Sequence, residues 1–182
     1  MRKIILSNLM TLDGFFEGPD KELDWFMVDE EFFEYVRELL NEVDTILFGR
    51  VTYQMMVKYW PNATDNDATI THKMNHLQKI IFSKTLKRVD WNHAELATAG
   101  LSKEVRRLKE QNGKDMVLLG SGSLVTQLSQ LGLIDEYRLI IHPVILGKGN
   151  LLFKGIGDKI QLKFLQSKTF KSGVTILYFV PG

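Results

Sequence analysis

The 182-residue chain contains no cysteine. That absence excludes disulfides, thiolate catalysis and sulfur-ligated metal centres. Only four prolines and four histidines are present. No apolar stretch approaches the roughly 20 residues that a membrane-spanning helix needs. Charge of one sign is also lacking, since 23 Lys and Arg balance 22 Asp and Glu to a net +1. Such a chain has no global field to hold a polyanion, so nucleic acid and membrane surfaces are not expected partners. Arg2 and Lys3 ahead of Ile4-Ile5-Leu6 could open a signal peptide, but the apolar run stops at Ser7-Asn8 and no small-residue cleavage site follows. A cytoplasmic location is the expectation.

What is present is ordinary for one globular domain over 1–182: 45% hydrophobic and 25% charged residues. Ile4–Leu6 reads as a first strand feeding a long loop through Gly14, Gly18 and Pro19. From Asp29, a candidate N-cap, Phe32, Phe33, Val36, Leu39, Leu40 and Val43 recur at helical spacing. Asp44–Phe48 is strand-like and stops at Gly49, and a helix is predicted from Arg50 to Tyr59, ended by Trp60-Pro61. Next come a helix over Ala68–Leu77, a strand over Lys79–Phe82, a weak strand at Glu95–Ala97 and a helix over Ser102–Gln111. Met116–Leu119 is a strand, and Leu124–Leu131 a helix opened by Gly120-Ser121-Gly122-Ser123. Glu136–Val144, Gln161–Phe170 and Val174–Val180 then follow as consecutive strands, the last two joined by a turn at Lys171-Ser172-Gly173. Alternation closed by consecutive strands predicts an α/β fold, a mainly parallel sheet with helices on both faces and antiparallel C-terminal strands.

Three predicted strands end in segments suited to phosphate: Gly49-Arg50-Val51-Thr52, Ser83-Lys84-Thr85 and Gly120-Ser121-Gly122-Ser123-Leu124. In a parallel sheet these ends share one edge, where ligands bind. Gly120 and Gly122 permit close backbone approach, and the following helix offers free N–H groups to a pyrophosphate. Arg50 and Lys84 add cations that favour a terminal phosphate over a bare ribose diol, which points to NADPH rather than NADH. Each segment alone is weak, because a glycine after a strand usually just turns the chain. Val125 stands where the third glycine of G-x-G-x-x-G would be, which argues against an ordinary Rossmann domain.

Taken in order, these segments resemble the dihydrofolate-reductase-like superfamily, and within it stand-alone proteins similar to the reductase domain of the bifunctional riboflavin-biosynthesis enzyme. The resemblance rests on Thr11-Leu12-Asp13-Gly14-Phe15, Phe48-Gly49-Arg50-Val51-Thr52-Tyr53, Phe82-Ser83-Lys84-Thr85-Leu86, Leu119–Leu124, Leu133–Tyr137 and His142-Pro143-Val144-Ile145-Leu146-Gly147-Lys148-Gly149. It implies a three-layer αβα sandwich, NADPH as cofactor and a pyrimidine- or pteridine-like substrate, with reduction of the riboflavin precursor 5-amino-6-(5-phosphoribosylamino)uracil as the type reaction. It further implies that Gly49, Arg50 and Thr52 approach the cofactor phosphates, that Ser83 and Lys84, beside Thr85 of the same strand end, meet the 2′-phosphate, and that Gly120–Leu124 form the pyrophosphate turn. The loop from Asn8 through Gly14 to Phe16 would cover the nicotinamide. A homodimer is also plausible on this resemblance. Dihydrofolate reductases carry a Gly-Gly cis peptide where this chain has Gly120-Ser121, which leaves the isomer here open.

The substrate end is less legible. Asp13, Asp24, Asp29 and Glu30 are candidate proton donors, although Asp29 as an N-cap and Glu30 as a dipole partner have simpler structural roles. Trp25, Phe26 and Trp60 could stack on a flat ring, yet large aromatics more often pack in cores. The Asp-Asp-Pro substrate motif of the riboflavin enzyme is replaced here by Tyr53–Pro61, and a folate-type acid pattern is not reproduced over Glu22–Glu31. Dihydrofolate reduction and a non-catalytic nucleotide-binding module therefore stand as alternatives. His72 and His76 share a helix face at i, i+4, but no third ligand or general-base Glu accompanies them, so no metal site is expected.

Overall fold

The computed structural model describes residues 1–182. Eight strands form one sheet in the order β5-β4-β3-β6-β1-β7-β10-β9. They are β1 (Ile4–Thr11), β3 (Val43–Gly49), β4 (Gln78–Phe82), β5 (Ala94–Leu96), β6 (Asp115–Leu118), β7 (Glu136–His142), β9 (Leu162–Thr169) and β10 (Thr175–Pro181). The five pairings from β5 across to β7 are parallel, whereas β10 runs antiparallel to β7 and β9. Two short strands, β2 (Phe15–Glu17) and β8 (Asn150–Leu151), make a separate antiparallel ribbon. The sequence pattern missed both, because three residues or fewer cannot display a period of two.

Alternation along the strands builds two cores. Ile4, Leu6, Leu47, Ile80, Met116 and Leu118 face one side and pack on α4 (Leu101–Glu110) and α5 (Gly122–Gln130) through Val105, Leu108, Leu124, Val125 and Leu128. Ile5, Ile46, Phe48, Ile81 and Val117 face the other, against α1 (Glu30–Glu42), α2 (Arg50–Tyr59) and α3 (Ala68–His76). The result is an αβα sandwich whose strands are apolar on both faces, as covered parallel strands must be. Truncating any of these side chains to alanine would cost about 2–5 kcal/mol.

Local chemistry sets the helix starts. Asp29 caps α1, its carboxylate accepting from Phe32 N–H at 2.8 Å, and Asp67 does the same for α3 through Ile70 N–H. Helix α5 begins at Gly122, two residues before the expected start, and the Gly120–Ser121 peptide just ahead of it is cis. At the far edge β9 is mostly solvent-exposed and carries Phe164 and Leu165 outward. No helix is long and apolar enough to cross a membrane.

Candidate active site

The carboxyl ends of the parallel strands form a row in the order β4, β3, β6, β1, β7. At the spacing of about 4.8 Å between neighbouring strands the row extends roughly 19 Å. Along it lie Ser83-Lys84-Thr85, then Gly49-Arg50, then Gly120–Ser123, then the end of β1 from Asn8, and finally His142. The three phosphate-type segments thus occupy adjacent positions on one edge, with loop 11–17 beyond them.

Gly49 and the cis Gly120–Ser121 turn are packed together. Gly49 N–H donates to the Gly120 carbonyl at 3.0 Å, and a Cβ on Gly49 would stand 2.2 Å from Ser121 Oγ. Gly120 has φ +108°, a backbone state that side chains rarely adopt, and a Cβ there would meet Thr52 Oγ1 at 3.1 Å and Asn8 Oδ1 at 3.9 Å. Gly122 serves a different purpose, since the space for its Cβ is filled by the Phe16 ring at 2.9 Å. That contact seats β2 on the start of α5.

The mouth of α5 suits an anion. Leu124 and Val125 N–H both donate to the Ser121 carbonyl, and Ser121 makes no side-chain cap bond. The N–H groups of Gly122 and Ser123 remain at the opening, where the helix dipole adds partial positive charge. Arg50, exposed at the start of α2, is steadied by Gln54 Oε1 at 3.0 Å. Lys84 and Thr85 are exposed on the adjacent strand end, and Ser83 Oγ shapes their turn by accepting from Thr85 and Leu86 N–H at 3.2 and 3.0 Å. Asn8 Oδ1 is buried and has no hydrogen-bond partner. An unmade bond at a buried acceptor costs about 1–3 kcal/mol.

The acids behave otherwise than a proton donor requires. Asp13 accepts from Thr11 Oγ1 at 2.7 Å, Leu146 N–H at 3.1 Å and Gly147 N–H at 2.7 Å. The Thr11 hydroxyl above all, with those loop N–H groups, lowers its pKa to about 2. Asp13 is an ionised clasp between loop 11–17 and loop 143–149. The Asp29 carboxyl is held below the ordinary range by the Ser172 hydroxyl first and the Phe32 N–H second. Glu30 is exposed and pairs with Arg37 at 2.5 Å, and Asp24 is exposed. Asp13 clasps two loops, Asp29 caps α1 and Glu30 pairs with Arg37, so each of these three carboxylates has a structural role in this fold.

The aromatic candidates divide. Trp25 and Phe26 lie at the β7 end of the row, their rings 5.5 and 6.2 Å from the His142 ring. Trp60 does not join them. It sits eleven residues along the chain from Gly49, just past the end of α2, where its indole N–H meets Met56 Sδ at 3.1 Å and its carbonyl accepts from Asn75. Its place among the partly buried residues around the second core makes it a packing residue. His142 itself, fully buried at the end of β7, carries a role that spacing alone did not reveal. A histidine before proline at a strand end is its only sequence signal.

The strand order and this edge define the molecule as a dihydrofolate-reductase-like α/β protein. The chain belongs to the family described as the RibD C-terminal domain, whose profile matches residues 2–176. It is 39% identical over 180 residues to the uncharacterised protein YyaP of Bacillus subtilis strain 168, covering 98% of this chain and 94% of that one. Among solved structures, a diaminohydroxyphosphoribosylaminopyrimidine deaminase/5-amino-6-(5-phosphoribosylamino)uracil reductase of Thermotoga maritima superposes with TM-score 0.72 and 18% identity. The match covers 100% of this chain and 57% of that bifunctional one. Dihydrofolate reductase of Enterococcus faecalis, complexed with NADP(H), gives TM-score 0.68 at 10% identity, covering 99% and 96% of the two chains.

Proposed function

We propose that the protein is an NADPH-dependent reductase of a pyrimidine- or pteridine-like ring. The observation that carries the reading is Asn8 Oδ1, a buried acceptor without a partner, placed against Gly120 in the middle of the strand-end row. A cofactor bearing a carboxamide N–H would satisfy it. The other residues fit the same group. Gly122 and Ser123 N–H would receive a pyrophosphate, and Arg50 and Lys84 would hold the phosphate that distinguishes NADPH from NADH. The Thermotoga reductase activity and the NADP(H) of the Enterococcus enzyme point the same way.

When bound, NADPH supplies the hydride. The protein's own contribution is placement. Asn8 would hold the carboxamide end of the cofactor, the Asp13 clasp fixes the loop beside it, and the turn at Gly120–Ser121 would receive the pyrophosphate. Asp13 stays ionised at neutral pH, so the proton that accompanies the hydride comes from solvent rather than from that carboxyl. The open edge of β9, with Phe164 and Leu165 facing outward, supports self-association as a homodimer.

Fluorescence titration with NADPH and NADH tests the cofactor. Saturable binding that favours NADPH is expected, and no binding of either overturns the reading. Oxidation of NADPH is then followed with 5-amino-6-(5-phosphoribosylamino)uracil and with dihydrofolate. Binding without oxidation would instead favour a nucleotide-binding module.

A further inference from the structure

At the β7 end of the row, two buried hydrogen-bond donors have no acceptor. His142 is 0% exposed and pairs in register with Thr11 of β1. Its Nδ1 accepts from Met27 N–H at 3.1 Å, so that nitrogen carries the lone pair. The single proton of the neutral ring is therefore on Nε2. Burial lowers the pKa to about 4 and keeps the ring neutral at physiological pH. His142 Nε2 is buried with no partner, and so is Trp25 Nε1, which can only donate. The two rings meet edge to face with centroids 5.5 Å apart, and Phe26 closes the group at 6.4 Å from Trp25.

Orphaned buried donors are rare in native proteins, and each calls for a physical reason. Position supplies one. Ile140 faces the α1 side of the sheet, and His142, two residues on, faces that side too, one strand beyond the Asn8 strand. The reacting ring of a substrate would lie there if the reductase reading holds, and the present inference rests on that placement. Attachment supplies a second reason. Residues 23–28 are tied to the rest of the protein by one hydrogen bond, that from Met27 N–H to His142. One imidazole thus holds the covering segment with one nitrogen and presents a proton with the other. Polarity supplies a third: both orphaned side-chain groups are N–H donors in an aromatic setting, which complements oxo oxygens and opposes amino groups.

We propose that His142 and Trp25 form a two-donor subsite that binds oxo oxygens of the heterocyclic substrate, covered by segment 23–28, and that this subsite selects oxo-bearing over amino-bearing rings. The closed form places the two N–H groups out of water's reach, and ligand entry requires the Met27 contact to yield.

The test uses a matched pair of fragments, 5,6-diaminouracil and tetraaminopyrimidine, in which amino groups replace both oxo groups. Each is titrated into the 15N-labelled protein with and without NADPH, following the Trp25 indole N–H resonance identified with Trp25→Phe. The wild type should prefer diaminouracil by about ten-fold or more, the equivalent of one buried hydrogen bond, with the indole proton moving downfield. His142→Phe and Trp25→Phe should lose most of that preference, whereas His142→Gln, which keeps an N–H near the Nε2 position, should retain it. Equal affinity for the two fragments, absence of binding, or an unchanged preference in both Phe variants overturns the proposal. If a Phe variant does not fold, as judged by its melt, the wild-type preference and indole shift decide. Failure to bind NADPH would remove the reductase reading alone, because the fragment preference is measured without cofactor as well.

Discussion

Replacing Gly49 by alanine tests the packing on which the candidate site depends. The backbone at Gly49 has φ −76° and ψ 159°, an ordinary extended conformation, so alanine incurs no dihedral strain and only space is at issue. The new Cβ would fall 2.2 Å from Ser121 Oγ, 3.1 Å from Ser121 N and 3.2 Å from Ser121 Cβ. Rotation of the Ser121 hydroxyl relieves the first contact and sacrifices its 3.2 Å approach to Ser123 Oγ. The other two demand that the 120–121 turn retreat by a few tenths of an ångström. That degree of overpacking costs about 1–2 kcal/mol, the lower part of the usual range. In a domain of this size it lowers Tm by roughly 2–8 °C. Ser121→Gly removes Oγ and Cβ, and since Ser121 makes no side-chain cap bond, its own cost is the glycine entropy of about 0.4–1 kcal/mol. The double variant should therefore be more stable than the sum of the singles predicts, by about 1 kcal/mol. A double-mutant cycle from urea unfolding measures this coupling. Additivity within about 0.5 kcal/mol would refute the claimed contact.

The double change Arg50→Ala with Lys84→Ala should weaken NADPH by roughly thirty-fold, at about 1 kcal/mol for each exposed cation, and leave NADH nearly unchanged; equal loss would refute the assignment of the two cations. His142 makes stability pH-dependent. Its folded pKa of about 4 lies below the ordinary 6.5, so the unfolded chain takes up the proton first and stability falls as pH drops from 6.5 towards 4. The loss is about 3 kcal/mol, and His142→Gln should flatten that part of a urea-unfolding profile measured between pH 7 and 4. Asp13→Asn should weaken the clasp between loops 11–17 and 143–149, accelerating amide exchange at Leu146 and Gly147 while the core strands keep their protection. Unchanged exchange at those two amides would show that the clasp does not hold the loop.

Most of the fold was legible because its elements carry local signals strong enough to survive tertiary context. Helix α2 follows the predicted Arg50–Tyr59, because a glycine ends the preceding strand and Trp60-Pro61 stops the helix. Asp29 caps α1 as its spacing suggested. The phosphate-type segments were legible for the same reason: they sit at strand ends, and parallel topology puts strand ends together. The substrate end was not, because its groups are brought together from residues 25 and 142, with 115 residues separating Met27 from His142 across one hydrogen bond. Nothing periodic marks such a contact. The clasp made by Asp13 was illegible for a related cause, since it is defined by backbone N–H groups at Leu146 and Gly147 that leave no trace in side-chain identity. Trp60 was a candidate only as a large aromatic able to stack on a flat ring, and helix α2 carries it about 15 Å from Gly49.

The row of strand ends draws on Asn8, Gly49, Ser83, Gly120 and His142, so it gathers residues from nearly the whole length of the chain. No fragment ending before β7 contains it complete, and no fragment starting after β1 does either. During synthesis the site comes into being only when the last parallel strand slots beside the first, late in the emergence of the polypeptide. A dinucleotide laid across the row would then clamp five strands that the chain visits in a different order, stabilising the finished sheet by about 2.7 kcal/mol at one hundred times its dissociation constant. Ligand occupancy would thus report on completed assembly, and a cleaved or circularly permuted chain would regain binding only by restoring every strand of the row.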